Sequence, residues 1–191
     1  MRIIGGDFKR RLIQFPKTKK TRPVMDRVKE TIFNVLGDAV SDAKVLDLFA
    51  GSGGFGLESL SRGAKTVYFV DRESTPCAVI RQNLDSLAIP RANSQICNMG
   101  VEQVIRKLHH WGIRFNLIFI DPPFNKGLIK KTLRLLERFD IVEHFGKIVI
   151  QRSRHEELPS DLEAFEVMQE KKIGQAFVDF LMFQKNKPEG E

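Results

Sequence analysis

The chain has only two cysteines in 191 residues, Cys77 and Cys97, with no CxxC spacing between them. Two thiols cannot make a disulfide framework, so both read as core or near-core residues of a protein in a reducing compartment. The opening MRIIGGDFKRR lacks the apolar core of a signal peptide, and no apolar run is long enough to span a bilayer. Neither a leader nor a membrane span is expected, and the location reads as cytoplasmic. Internal repeats are absent. His109-His110, beside Trp111, have no acid or cysteine at ligand spacing, so no metal is expected.

Hydrophobic residues make up 42% of the chain and charged residues 29%, the balance of an ordinary globular protein with a full core. The net charge of +7 says more once it is located. Residues 1–29 hold ten basic side chains (Arg2, Lys9, Arg10, Arg11, Lys17, Lys19, Lys20, Arg22, Arg27 and Lys29) against Asp7 and Asp26, or +8. The other 162 residues carry 21 basic and 22 acidic side chains, or −1. A neutral body with a cationic leading segment suggests a polyanionic partner. Ile3-Ile4, the turn Gly5-Gly6-Asp7, and then Phe8, Leu12, Ile13 and Phe15 predict a small β-hairpin in that segment.

Behind it, Pro23 precedes a helical spacing of Met25, Val28, Ile32 and Val35/Leu36, ended by Gly37. A regular alternation follows: strands over 44–49, 66–71, 94–97, 115–120 and 145–151, and helices over 55–64, 74–88, 101–111 and 128–139. Apolar strands alternating with helices indicate a parallel sheet covered on both faces. From residue 164 onward two strand-like runs meet near Gly174-Gln175 with no helix between them, an antiparallel hairpin at one sheet edge. The expected class is α/β, a seven-stranded, mostly parallel sheet. Residues 1–37 form its basic hairpin-and-helix appendage and 38–187 its main domain.

Two strand-end motifs carry chemistry. LDLFAGSGGFG places Gly51, Gly53 and Gly56 in G-x-G-x-x-G between a strand and a helix, with Asp71 ending the next strand. This spacing also fits a dinucleotide fold, in which glycines admit the ligand and the acid accepts from a ribose. Asp47, four residues before Gly51, favours a cationic ligand over a pyrophosphate. The second motif is FNLIFIDPPFNKG, a buried strand delivering Asp121, Pro122, Pro123 and Phe124 to its tip. Prolines end the ladder and stiffen the loop, so an acceptor and a ring are presented in a fixed shape.

DLFAGSG with Asp71 and DPPF resembles a class I S-adenosylmethionine-dependent methyltransferase acting on an exocyclic amine. MRIIGGDFKRR, TRPVMDRVKETIFNVL, LDLFAGSGGFGLESLSRGA, IDPPF and GQAFVDFLMFQ extend the resemblance, in order, to the bacterial 16S ribosomal RNA guanine-N2 methyltransferases. It implies a Rossmann-like fold and transfer to guanine 966 of 16S rRNA in the 30S subunit, by a monomer without metal. It implies that Asp121, Pro122, Pro123 and Phe124 grip the target amine and base. Asp47, Phe49, Ala50, Gly51, Gly53, Asp71 and Arg72 would surround S-adenosyl-L-methionine. Asn98 is named for the adenine contact, although pairing Val104-Ile105 with the family's apolar pair would put Gly100 there. RNA anchoring would fall to Lys9, Arg10, Arg11, Lys19, Lys20 and Arg22. Three alternatives stay open on sequence alone: an adenine-N6 DNA methyltransferase, a non-catalytic RNA-binding assembly factor, and an NAD-dependent dehydrogenase.

Overall fold

The structure, a computed structural model, describes residues 1–15 and 22–184; for residues 22–25 it describes the backbone alone. The leading segment folds back on itself, with Arg2 opposite Leu12 in one antiparallel bridge. Ile3 N–H donates to Arg11 C=O and Ile13 N–H to Met1 C=O, both at 3.0 Å. The expected small hairpin is thus present, held by a single bridge pair with the turn spanning Gly6 to Arg11.

Helix α1 (Arg22–Leu36) buries Val28, Ile32, Phe33 and Leu36 along one stripe. Pro23 sits in its first turn, where a missing N–H leaves no partner unsatisfied. The alternation then runs β1 (Lys44–Leu48), α2 (Gly54–Ser61), β2 (Thr66–Asp71), α3 (Ser74–Ser86), β3 (Ser94–Asn98), α4 (Val101–His110), β4 (Phe115–Ile120), α5 (Leu128–Arg138) and β5 (Val142–Ser153). The hairpin β6 (Phe165–Ile173) and β7 (Ala176–Phe183) completes it.

These strands form one seven-stranded sheet in the order β3-β2-β1-β4-β5-β7-β6. Strands β1 to β5 are parallel, and β7 runs antiparallel to both of its neighbours. One face packs on α1, α2 and α3 through Ile32, Phe33, Leu57 and Ile80 against Val45, Phe69 and Phe119. The other packs on α4 and α5 through Ile105, Leu108, Leu133 and Leu136 against Leu46, Ile118 and Ile148. Met1, Ile3 and Ile13 belong to the first of these clusters. Strand β5 begins earlier than its apolar run, at Val142, because pairing shifts register between Phe115 and Leu117 around Phe145, whose φ is 61°. Connectivity reverses direction between β1 and β4, so a crevice opens at the C-terminal ends of those two strands.

Candidate active site

The loop after β1 is shaped by left-handed residues: Phe49 (φ 62°), Gly51 (φ 55°) and Gly53 (φ 80°). A β-carbon on Gly51 would meet nothing within 4 Å, so the loop is open to the crevice there. Gly56 differs. A β-carbon there would lie 2.2 Å from a ring carbon of Phe69, so this glycine lets α2 lie close on β2. Ala50 N–H donates to Val70 C=O at 2.9 Å and ties the loop to β2.

Three carboxylates converge on this loop. Asp47 is 1% exposed, and one of its oxygens accepts from Gly56 N–H at 2.9 Å. Burial pushes its carboxyl well above the usual carboxylate range; the Gly56 N–H opposes this, and the charges of Asp121 and Asp71 add to the rise. Asp71 accepts from Gly51 N–H at 3.0 Å and from Glu73 N–H at 2.9 Å, so it braces the glycine loop from the adjacent strand. Asp121 leaves β4 beside the start of the loop, since Leu48 and Ile120 are register partners. The motif that follows is stiff: Pro122 is buried, Phe124 half-buried, and Asn125 left-handed at φ 58°. Ser153 Oγ, at the end of β5, donates to Asn125 Oδ1 at 3.0 Å. Below the loop, Phe119 stacks on Phe55 of α2 at 5.0 Å between ring centroids.

Asp47, Phe49, Ala50, Gly51, Gly53, Asp71 and the 121–124 loop thus lie at one sheet edge. Arg72 follows β2 and Asn98 ends β3, beside that edge. The Arg72 side chain is exposed and pairs with Glu73, and only its carbonyl joins the local network. Asn98 uses its amide to hold that network, donating to the carbonyls of Asp71 at 3.1 Å and Arg72 at 3.0 Å. Gly100 caps the start of α4. Lys9 and Arg10 lie in the leading turn, next to Asp7, whose N–H donates to Ser61 C=O at the far end of α2. Arg11 donates to Ser86 C=O, the last residue of α3. Lys19, Lys20 and the side chain of Arg22 lie outside the described residues.

Three buried polar groups escaped the sequence. Glu58, fully buried on α2, accepts from the N–H groups of Ile4 and Gly5 and pairs with Lys29 and Arg62. Lys29 is itself 3% exposed, and burial lowers its pKa against the pull of Glu58. One of the ten leading cations is therefore an internal strut. Asn83 joins Gln14 to the carbonyl of Ser52 in the glycine loop. Arg152 and Asp179 form a buried pair between β5 and β7. The sole signal for these groups was a polar residue on an otherwise buried face.

An open glycine turn flanked by acids suits a ligand carrying positive charge and hydroxyl groups better than one carrying phosphates. A family described as conserved hypothetical protein 95 matches residues 1–182. Ribosomal RNA small subunit methyltransferase D of Escherichia coli is 34% identical over 97% of this chain and 90% of its own length. The chain belongs to that methyltransferase family. Another relative, the proposed rRNA methyltransferase YlbH of Bacillus subtilis, is 36% identical over 83% of this chain and 86% of its own. Among solved structures, the proposed methyltransferase yhhF of Escherichia coli superposes with a TM-score of 0.85 at 30% identity, covering 97% of this chain and 99% of that one. The family is one of S-adenosylmethionine-dependent class I methyltransferases, and the dinucleotide reading of the glycine motif falls with that.

Proposed function

We propose that this protein methylates the exocyclic N2 of a guanine in 16S ribosomal RNA, guanine 966, on an assembled or assembling 30S subunit. It would act in the cytoplasm as a monomer. The observation that carries the reading is the meeting of the glycine loop and the Asp121–Phe124 loop on adjacent strands β1 and β4, with Asp47 electrostatically coupled to Asp71 and Asp121.

The open turn at Gly51 and the neighbouring Asp47 would hold the methionine part of S-adenosylmethionine, with Asp71 at the ribose. That cofactor supplies a methyl group activated by a sulfonium charge. The guanine amine is a poor nucleophile because its lone pair is delocalised into the ring. To attack, it must pyramidalise and develop positive charge. Asp121 and the carbonyl of Pro122 would accept from its two N–H bonds, and both contacts strengthen as that charge grows. Asp121 then takes the departing proton, directly or through water. Pro123 stiffens the loop, and Phe124 would stack on the base plane. Alignment of amine and methyl supplies much of the remaining acceleration. Residues 1–37 would grip RNA from one side of the main domain.

The test uses purified protein and isotopically labelled S-adenosylmethionine with unmodified 30S subunits, naked 16S rRNA and duplex DNA. Label recovered as N2-methylguanosine, and lost in Asp121→Ala, is the expected result. Label in N6-methyladenine of DNA, or tight cofactor binding without transfer to any substrate, would overturn it.

A further inference from the structure

Among the described residues, the leading cations lie away from the crevice. Lys29 is buried on Glu58, Lys9 and Arg10 lie in the turn beside the far end of α2, and Arg11 reaches the last residue of α3. The catalytic edge carries other cations. Lys126 is exposed in the loop after Phe124, Arg154 is exposed past β5, and Lys171 and Lys172 stand near the end of β6.

We propose that the tip of the β6–β7 hairpin, Lys171 and Lys172, with Arg154 two strands away past the end of β5, is the surface that holds the phosphates of the RNA strand flanking the target base. The inference rests on the RNA reading above and adds where the strand is gripped. Register puts the tip at the right edge. Lys172 opposes Phe177, Phe177 opposes Arg152, and β5 continues alongside β4 from the pair Ile120–Ile150. Three strand spacings, roughly 15 Å, therefore separate the lysines from the Asp121–Phe124 loop. A polynucleotide whose base enters the crevice has its neighbouring phosphates within that range.

The tip is also rigidly joined to the loop. The buried Arg152 donates to both oxygens of Asp179, at 2.6 and 3.2 Å, to the carboxylate of Glu170 and to the carbonyl of Glu156 at 2.8 Å, with Phe177 packed under its guanidinium. Ser153, the next residue, holds Asn125. Strands β5, β6 and β7 and the exit of the catalytic loop thus form one clamped unit. Arg152 serves two carboxylates, Glu170 and Asp179, and Lys171 and Lys172, on opposite faces of β6, form no ion pair with them. Among the described residues, none of Lys126, Arg154, Lys171 and Lys172 has a carboxylate within 4 Å; Glu156 and Glu157 are the acids of the adjoining loop. Lysines on an edge strand also discourage strand addition. The middle of β6 instead exposes Val167 and Met168, and the lysines are gathered at the end beside the crevice.

The deciding comparison sets the double variant Lys171→Gln/Lys172→Gln against Lys9→Gln/Arg10→Gln in the full chain, with thermal unfolding to confirm that each folds. For each, KM and kcat on unmodified 30S subunits, the salt dependence of KM, and the Kd for S-adenosylmethionine are measured. The hairpin variant is expected to raise KM about tenfold, with the slope of log KM against log salt falling by about 1.5, as for two lost phosphate contacts. Its kcat and cofactor Kd should stay within about twofold, and the other variant should move KM less. An unchanged KM and slope in the hairpin variant, while the parent protein methylates RNA, overturns the inference alone. A parent protein that methylates no RNA overturns the underlying reading, and the inference with it.

Discussion

Asp47 is the residue whose environment does most to set the chemistry of the crevice. Burial raises its pKa, and a carboxyl with a raised folded pKa contributes stability below its unfolded value that is lost as pH climbs through the folded one. The ligand-free protein should therefore lose stability as pH rises from about 4 towards the folded pKa of Asp47. Asp47→Asn, which keeps an acceptor for Gly56 N–H, should flatten that part of the curve. Urea midpoints against pH test this, and identical profiles in the two proteins would refute it. Asp121→Asn should lower kcat by about 10²-fold or more while leaving the cofactor Kd near its original value, because its role lies with the amine. A parallel loss of cofactor affinity would place Asp121 in ligand binding instead. Both aspartates were legible in the sequence, since acids at the ends of apolar strands have few other reasons to be there. Glu58 was not. In LESL it looks like a surface acid, and only the fold shows that Lys29, Arg62 and two backbone N–H groups surround it. Glu58→Ala leaves Lys29 buried without its partner and should destabilise the protein by about 3–5 kcal/mol in denaturant unfolding. A change below about 1 kcal/mol would show that Arg2 C=O, which also accepts from Lys29, is enough.

Among the elements, those with a clear period and the two hairpins were legible in the sequence, and the start of β5 was not. The alternation from β1 to α5 follows from apolar runs of strand length separated by amphipathic helices. The start of β5 does not, because residues 142–146 (VEHFG) show no strand period and extend only by pairing with the far end of β4. The small leading hairpin was legible, and the structure closes it with one antiparallel bridge. Met1, Ile3 and Ile13 turn inward to the core while Leu12 stays exposed. The cationic character of that segment was plain in the sequence, but its direction was not: the turn bearing Lys9 and Arg10 lies against the end of α2 remote from the glycine loop. The seat of α2 itself depends on the absence of a side chain at Gly56. Gly56→Ala drives a methyl group into Phe69 and Val67 and should destabilise the fold by about 1–3 kcal/mol, read from the shift in urea midpoint. An unchanged midpoint would mean that α2 can lift from β2 freely.

For the molecule as a whole, Met1, Ile3 and Ile13 share a core cluster with Val45, Phe69 and Phe119, so residues 1–37 and the main domain are expected to unfold together. Amide exchange at Ile3 and Ile13 should then match that of β1 and β2 under destabilising conditions. Early exchange of the leading segment alone would mark it as a separate unit. Charge is distributed at the same scale. A molecule of net charge +7 has, at its crevice, the half-buried Asp71 and Asp121 with Asp47 buried beneath them. Its surroundings attract a polyanion while the acids of the crevice repel one. A phosphate group that drifts towards the bottom is turned away, whereas an uncharged base edge with two N–H donors meets only acceptors. On the proposed reading, the field of the protein would sort the two faces of a nucleotide long before any bond changes, keeping the backbone outside and admitting the base.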